Sequence, residues 1–425
     1  MPPVPTERRR FLQLAAAAGL VPVMRAFAAE LDGLALPELA ASDFAHLREA
    51  YLLDPEVTYL NHGSMGTIPR AVQQARARTL DLCESNPWLY MWGGQWEEPR
   101  EEVRRKAAAF LGYDAGEIAL THNTTEAFNL LAHGLPLGPG DEVVFSSLNH
   151  PGASVCWHHR AGARGFRVKP FDFPVAEVPR LTRDDVLDIY DRQLSARTRV
   201  LVFPHIDNIV GLRHPMRDLT RLAHERGVEF VAVDAAQAVG MIPANPRQAG
   251  VDLYATSPHK WLQAPKGLGL AYIRKEIQPV LRPLWVTWGQ ERWKGTVRIF
   301  EDYGTRNLAE VLTLGHAIDF QQRIDALARQ QRLRALWTFA RKTAAETGAV
   351  WRSPTSWELA ASLYAVEVKG KDSSKLFEAL WQNHKIVFRP FNTQGLNVSR
   401  LSPNLFTSED ELARFFEFAA RAAAS

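Results

Sequence analysis

The chain has 425 residues, of which 46% are hydrophobic, and a formal net charge of +3. That supplies one or two sizeable apolar cores, and a charge so close to neutral, with arginines dispersed along the chain, gives no basis for nucleic-acid binding. The two cysteines, Cys83 and Cys156, allow at most one bridge and have no metal-type spacing.

In chain order, the first element is a leader. An arginine cluster precedes an apolar stretch from Phe11 to Met24, and a small-x-small site follows at Ala26-Phe27-Ala28. This is the grammar of an export signal, the alternative being a basic amphipathic arm. Arg8-Arg9-Arg10-Phe11-Leu12 resembles the twin-arginine signal read by a dedicated translocase. The expectation is a protein processed near Ala28, with that translocase as partner during export and the periplasm as destination. The apolar stretch is shorter than the ~20 residues of a membrane span, and no later segment qualifies, so no stable membrane insertion is expected.

The body opens with YLNHGSMGTIPRAV and an aromatic stretch, NPWLYMWGGQWEEPREEVRRKAAAFLG. Next, EIALTHNTTEAFNLLAHGL reads as a strand, a polar turn and a helix. Asn123, Thr124 and Thr125 stand at the helix start and Glu126 adds charge to its first turn. Free N–H groups and the positive dipole end make such a start an anion site, although ordinary N-capping by Asn or Thr explains the same residues.

From Val143 onward, short apolar runs (DEVVFSS, TRVLVFPH, VEFVAVD and DLYATS) alternate with helical stretches such as Met216 to Arg226. The alternation predicts an α/β fold with a mostly parallel sheet, whose ligands collect beyond the carboxyl ends of the strands. The polar residues that follow these runs are His150, Asn208, Asp234 with Gln237, and Ser257 with His259 and Lys260. Acid, amide, histidine and lysine in that succession form a constellation, where any one alone reads as a loop residue.

NTTEAFN, VDAAQ, SPHKWLQAPKGLG and YGTRN, in this order, resemble the class V aminotransferase superfamily of pyridoxal-phosphate enzymes of fold type I. The opening YLNHGSMGTIPRAV and the aromatic stretch after it are most similar to the isopenicillin N epimerase-like branch. The resemblance runs from about Tyr59 to Phe416. With the leader read as a signal peptide over 1–28, it implies a segment 29–70 joining the small domain, a large cofactor domain over 71–305 and a smaller α+β domain over 306–425.

The same resemblance implies pyridoxal 5′-phosphate as cofactor and a role for each residue. Lys260 attaches the cofactor and moves the α-proton. Asp234 pairs with the pyridine nitrogen and keeps the ring charged. His150 lies over the ring face, Asn208 and Gln237 stand near its hydroxyl, and Thr124, Thr125, Ser257 and His259 cradle the phosphate. Thr305, in YGTRN, reaches across a homodimer to the neighbour's phosphate. Arg400 holds a substrate carboxylate through paired hydrogen bonds, with Asn61 and His62 beside the substrate, and Thr407 caps the last helix. Pro258 departs from the family's usual glycine and removes one N–H donor.

Each residue also has a structural reading. Asn208 and Gln237 could be satisfied turn amides, His150 a loop histidine and Arg400 a surface arginine. The tryptophans Trp88, Trp92, Trp96, Trp285, Trp288 and Trp293, with Tyr90, suit either an interface or the mouth of a site. Cysteine desulfuration is disfavoured because both cysteines precede Lys260. The remaining chemistry is transamination, epimerisation or side-chain modification of a small molecule or peptide bearing a free amine, with siderophore maturation the specific expectation. The alternative is a sensor or carrier that binds the cofactor without catalysis.

Overall fold

The computed structural model describes residues 44, 46–88 and 97–424; the leader and the positions Tyr90, Trp92 and Trp96 lie outside the described residues. After a short strand β1 (Thr58–Tyr59), seven strands build the central sheet. They are β2 (Ile118–Thr121), β3 (Glu142–Ser146), β4 (Arg167–Phe171), β5 (Thr198–Pro204), β6 (Phe230–Asp234), β7 (Leu253–Thr256) and β8 (Gly269–Ile273). Their order is β2-β8-β7-β6-β5-β3-β4. Only β8 opposes its neighbours; the pairs from β7 through β4 are parallel.

The strand sequences are continuously apolar because both sheet faces are covered. Alternate residues enter separate cores. Val144, Leu201, Phe203, Val231 and Val233 pack with Val103, Leu219 and Ile318 from the helices on one side. Val143, Val200, Val202 and Ala232 pack with Phe128, Leu131 and Trp157 on the other. The four runs read as strands are strands, and the expected mostly parallel α/β sheet is present. The antiparallel β8 was not foreseen, because LGLAYI follows a Gly-rich turn and carries no helix before it. Gly269 opens this strand where a Cβ would lie 2.5 Å from the Asn123 backbone nitrogen, so glycine lets it pass against the polar turn after β2.

A second, antiparallel sheet has the order β12-β13-β10-β9. It comprises β9 (Val350–Trp351), β10 (Tyr364–Glu367), β12 (Arg389–Thr393) and β13 (Leu396–Leu401). Trp337, Tyr364, Leu401 and Phe415 form its core with the flanking helices. β1 pairs in parallel with β11 (Ile386–Val387), and Asn61 bridges Ser402, so the start of the body is stitched to its end. The helix Glu409–Ala424 corrects one expectation. Its cap is Ser408, which exchanges bonds with Glu411 (2.8 and 3.1 Å) in a capping box, while the Thr407 hydroxyl accepts from the Asn404 N–H instead. No helix among the described residues is long and apolar enough to cross a membrane.

Candidate active site

A cleft of about 420 Å³ opens at the carboxyl ends of β5, β6 and β7. Asp234 ends β6 at its floor. The carboxylate is buried and accepts the Ala236 N–H at 2.9 Å. Lys260 enters from the turn after β7, and its amine makes no hydrogen bond among the described residues. Burial pushes the amine down to about 8, Arg400 adds to the shift and Asp234 opposes it. A half-buried lysine of lowered basicity near a carboxylate is poised for covalent and proton-transfer work. His150 lines the cleft from the turn after β3. As N-cap of the helix Pro151–Arg164 it accepts the Gly152 N–H on Nδ1, and burial lowers its basicity against the pull of Asp234.

At the other end, the helix Thr124–Gly134 points its start into the cleft. Asn123 caps the Glu126 N–H, and the Ser257 hydroxyl bonds both the N–H and the hydroxyl of Thr124 (3.0 and 2.9 Å). Both threonines line the cleft, and no protein group meets the Thr125 N–H among the described residues. Opposite it, a Cβ on Gly152 would come within 2.5 Å of Thr125 Oγ1 and 3.1 Å of His150 Nδ1. The space kept open by that glycine, the helix start and the hydroxyls fit a phosphate. The amine at Lys260 and the acid at Asp234 fit the aldehyde and ring nitrogen of pyridoxal phosphate.

The remaining assignments divide. Asn208 and Gln237 line the cleft, but the Gln237 amide is tied at both ends, donating to the Gly63 carbonyl (2.7 Å) and accepting from Trp261 Nε1 (2.8 Å). Arg400 is buried behind Asn208. It donates to the Asn208 carbonyl, Asn61 Oδ1 and Ser64 Oγ, while its Nε has no partner among the described residues. Asn61 thus acts on the arginine. His62 stands behind the cleft without lining it: it is fully buried against Tyr59, Trp261 and Phe406, and burial lowers its basicity to about 3. His259 does not line the cleft either; its carbonyl accepts the Gly66 N–H. Thr305 is exposed and outside the cleft of its own chain. Trp285 and Trp288 are exposed, and Trp285 donates to Glu126 in the first turn of the cofactor-facing helix.

Several supporting residues had escaped notice. Gly66 lies against the Lys260 backbone so closely that a Cβ would collide with the carbonyls of His259 and Lys260. Asp207 accepts the N–H groups of Ile209, Val210 and Leu212, shaping the loop that carries Asn208. The glycines of NHGSMG are the signal that could have revealed the close approach, since glycine is favoured where backbones meet.

This fold and this cleft define a pyridoxal-phosphate-dependent enzyme of fold type I. The chain belongs to the class V aminotransferase family, whose model, "Aminotransferase class-V", matches residues 58–407. It is 30% identical over 407 residues to an isopenicillin N epimerase of Amycolatopsis lactamdurans, covering 89% of this chain and 98% of that protein. It is also 30% identical over 322 residues to a probable cysteine desulfurase of Halobacterium salinarum, covering 71% and 74% of the two chains. Among solved structures, a cysteine desulfurase of Escherichia coli superposes with a TM-score of 0.76 at 24% identity, covering 91% of this chain and 99% of that one.

Proposed function

We propose that the protein is an exported homodimeric enzyme that acts on the amino group or side chain of an amino acid, free or held in a secreted peptide. The observation that carries this reading is the convergence of Lys260, Asp234 and His150 with the Thr124–Ser257 turn around one cleft. Pyridoxal phosphate supplies an aldehyde that takes up amines and a ring that stabilises negative charge at the adjoining carbon. Lys260 would hold the cofactor through its amine, and the same amine would carry the α-proton. Asp234 would keep the ring nitrogen charged, and His150 would lie against the ring. Arg400 anchors a carboxylate, and Thr305 completes the partner's phosphate site. Glutamate attached through its side-chain carboxyl suits this arrangement, since it keeps both a free amine and a free carboxylate; siderophore maturation is one setting that offers such a group.

Cysteine desulfuration has no support from the thiols. Both cysteines are buried, and burial pushes Cys83 up to about 11 and Cys156 up to about 12, away from the reactive thiolate. The test is purification from the periplasm, borohydride treatment and peptide mapping, followed by mass spectrometry of amino acids and secreted peptides after incubation. The label is expected on Lys260 and absent from Lys260→Ala. Arg400→Ala should raise KM strongly with the cofactor spectrum of the resting enzyme intact. A labelled peptide elsewhere overturns the assignment, and a spectrum indifferent to every free amine leaves a cofactor-binding sensor or carrier.

A further inference from the structure

The strand beside the one that carries Arg400 presents a second cation for which the site has so far had no use. β12 and β13 pair so that Arg389 stands directly opposite Arg400. Opposed residues of an antiparallel pair share one face, where like charges repel. Phe391, two residues along β12, shares that face, with its ring centre 5.6 Å from the Arg389 guanidinium carbon and 5.4 Å from that of Arg400. Among the described residues neither arginine is paired with a carboxylate. The bonds of Arg400 all go to neutral oxygens, its Nε is buried without a partner, and only 2% of the residue is exposed. Arg389 is exposed.

An exposed arginine is ordinarily solvated and inert. Arg389 differs because it stands opposite a buried guanidinium with no carboxylate bonded to it among the described residues, Asp207 attracting it only from a distance, an arrangement that is costly until an anion arrives. Burial lowers the basicity of Arg400 to about 9, and Arg389 is the next contributor. We propose that Arg389 and Arg400 form a two-arginine subsite for a substrate with two carboxylates, the inner one on Arg400, the outer one on Arg389, with Phe391 against the carbon chain between them. The inference rests on the reading that the amine substrate is anchored by Arg400. The second carboxylate can belong to the same amino acid or to an acidic neighbour in a peptide.

The test uses the full-length, cofactor-loaded protein and its Arg389→Gln variant, each titrated by cofactor absorbance. The ligands are L-glutamate against L-glutamine, and γ-glutamyl-aspartate α-amide against γ-glutamyl-asparagine α-amide, so that each pair sets two carboxylates against one. In the wild type the acidic member of one pair should bind about 10-fold more tightly than its neutral counterpart. In Arg389→Gln that preference should vanish while the neutral ligand binds as before. The pair that shows the preference identifies the source of the second carboxylate. A preference that survives the substitution, no preference in the wild type, or a loss shared by acidic and neutral ligands overturns the proposal. If no ligand changes the spectrum while borohydride still labels Lys260, the subsite falls and the Lys260 assignment stands; if Lys260 is not labelled, the underlying reading falls too.

Discussion

At Lys260 the cleft trades basicity for reactivity. The neutral amine is the nucleophile, and burial brings it within reach near pH 8, well below the ~10.4 of a free lysine. The rate of cofactor attachment to the cofactor-free protein should therefore rise through about pH 8, followed by borohydride trapping across a pH series; a midpoint above 10 would contradict it. The sign for stability follows. With the folded value depressed, the unfolded chain binds more protons between about pH 8 and 10.4, so this lysine makes the cofactor-free protein more stable as pH rises through that window. Asp234→Ala should retain some cofactor but lose α-proton chemistry, at a cost on the order of several kcal/mol in barrier. Near-normal α-deuterium exchange in that variant would remove Asp234 from the mechanism. Lys260 and Asp234 were legible in the sequence because each closes a strand-like run within a specific motif. The tying of Gln237 was not, since Trp261 and Gly63 meet it only through tertiary packing.

The elements that hold these residues divide along the same line. Strands β3, β5, β6 and β7 were readable from their apolar runs, whereas two-residue β1 and β11 carry no periodicity and exist only through each other. The turn bearing Lys260 depends on Gly66, a partner far away in sequence. Gly66→Ala should force that turn to shift and weaken cofactor binding by about 10-fold or more, as backbone collisions cannot be relieved by rotamers; equilibrium dialysis with pyridoxal phosphate would show it. A second brace is electrostatic. Glu301 is buried, bonds Arg104 twice (2.7 and 2.8 Å) and accepts the Leu120 N–H, pinning β2 just ahead of the Asn123 turn. Glu301→Ala should cost on the order of 3 kcal/mol of stability, because it leaves the buried Arg104 with only Glu101 and the Ile118 carbonyl and frees the Leu120 N–H; an unchanged denaturation midpoint would refute that.

For the whole molecule, the leader and the assembly carry the expectations. Changing Arg8 and Arg9 to lysine should trap unprocessed precursor in the cytoplasm, and unchanged fractionation would remove the twin-arginine reading. Thr305, exposed in its own chain, gains a phosphate to bind only if a second copy supplies one, so sedimentation should report a dimer. The stitching of β1 to β11, and of Asn61 to Ser402 and Arg400, has a temporal consequence. On the ribosome the lysine, the acid and the phosphate turn all emerge while the strand bearing Arg400 is still unsynthesised, and Asn61 and Ser64 wait without the arginine they hold. A stalled or clipped chain therefore displays half a cleft with an unmatched wall. Cofactor capture and carboxylate anchoring thus become available at different moments of synthesis, the second only once β13 has been made.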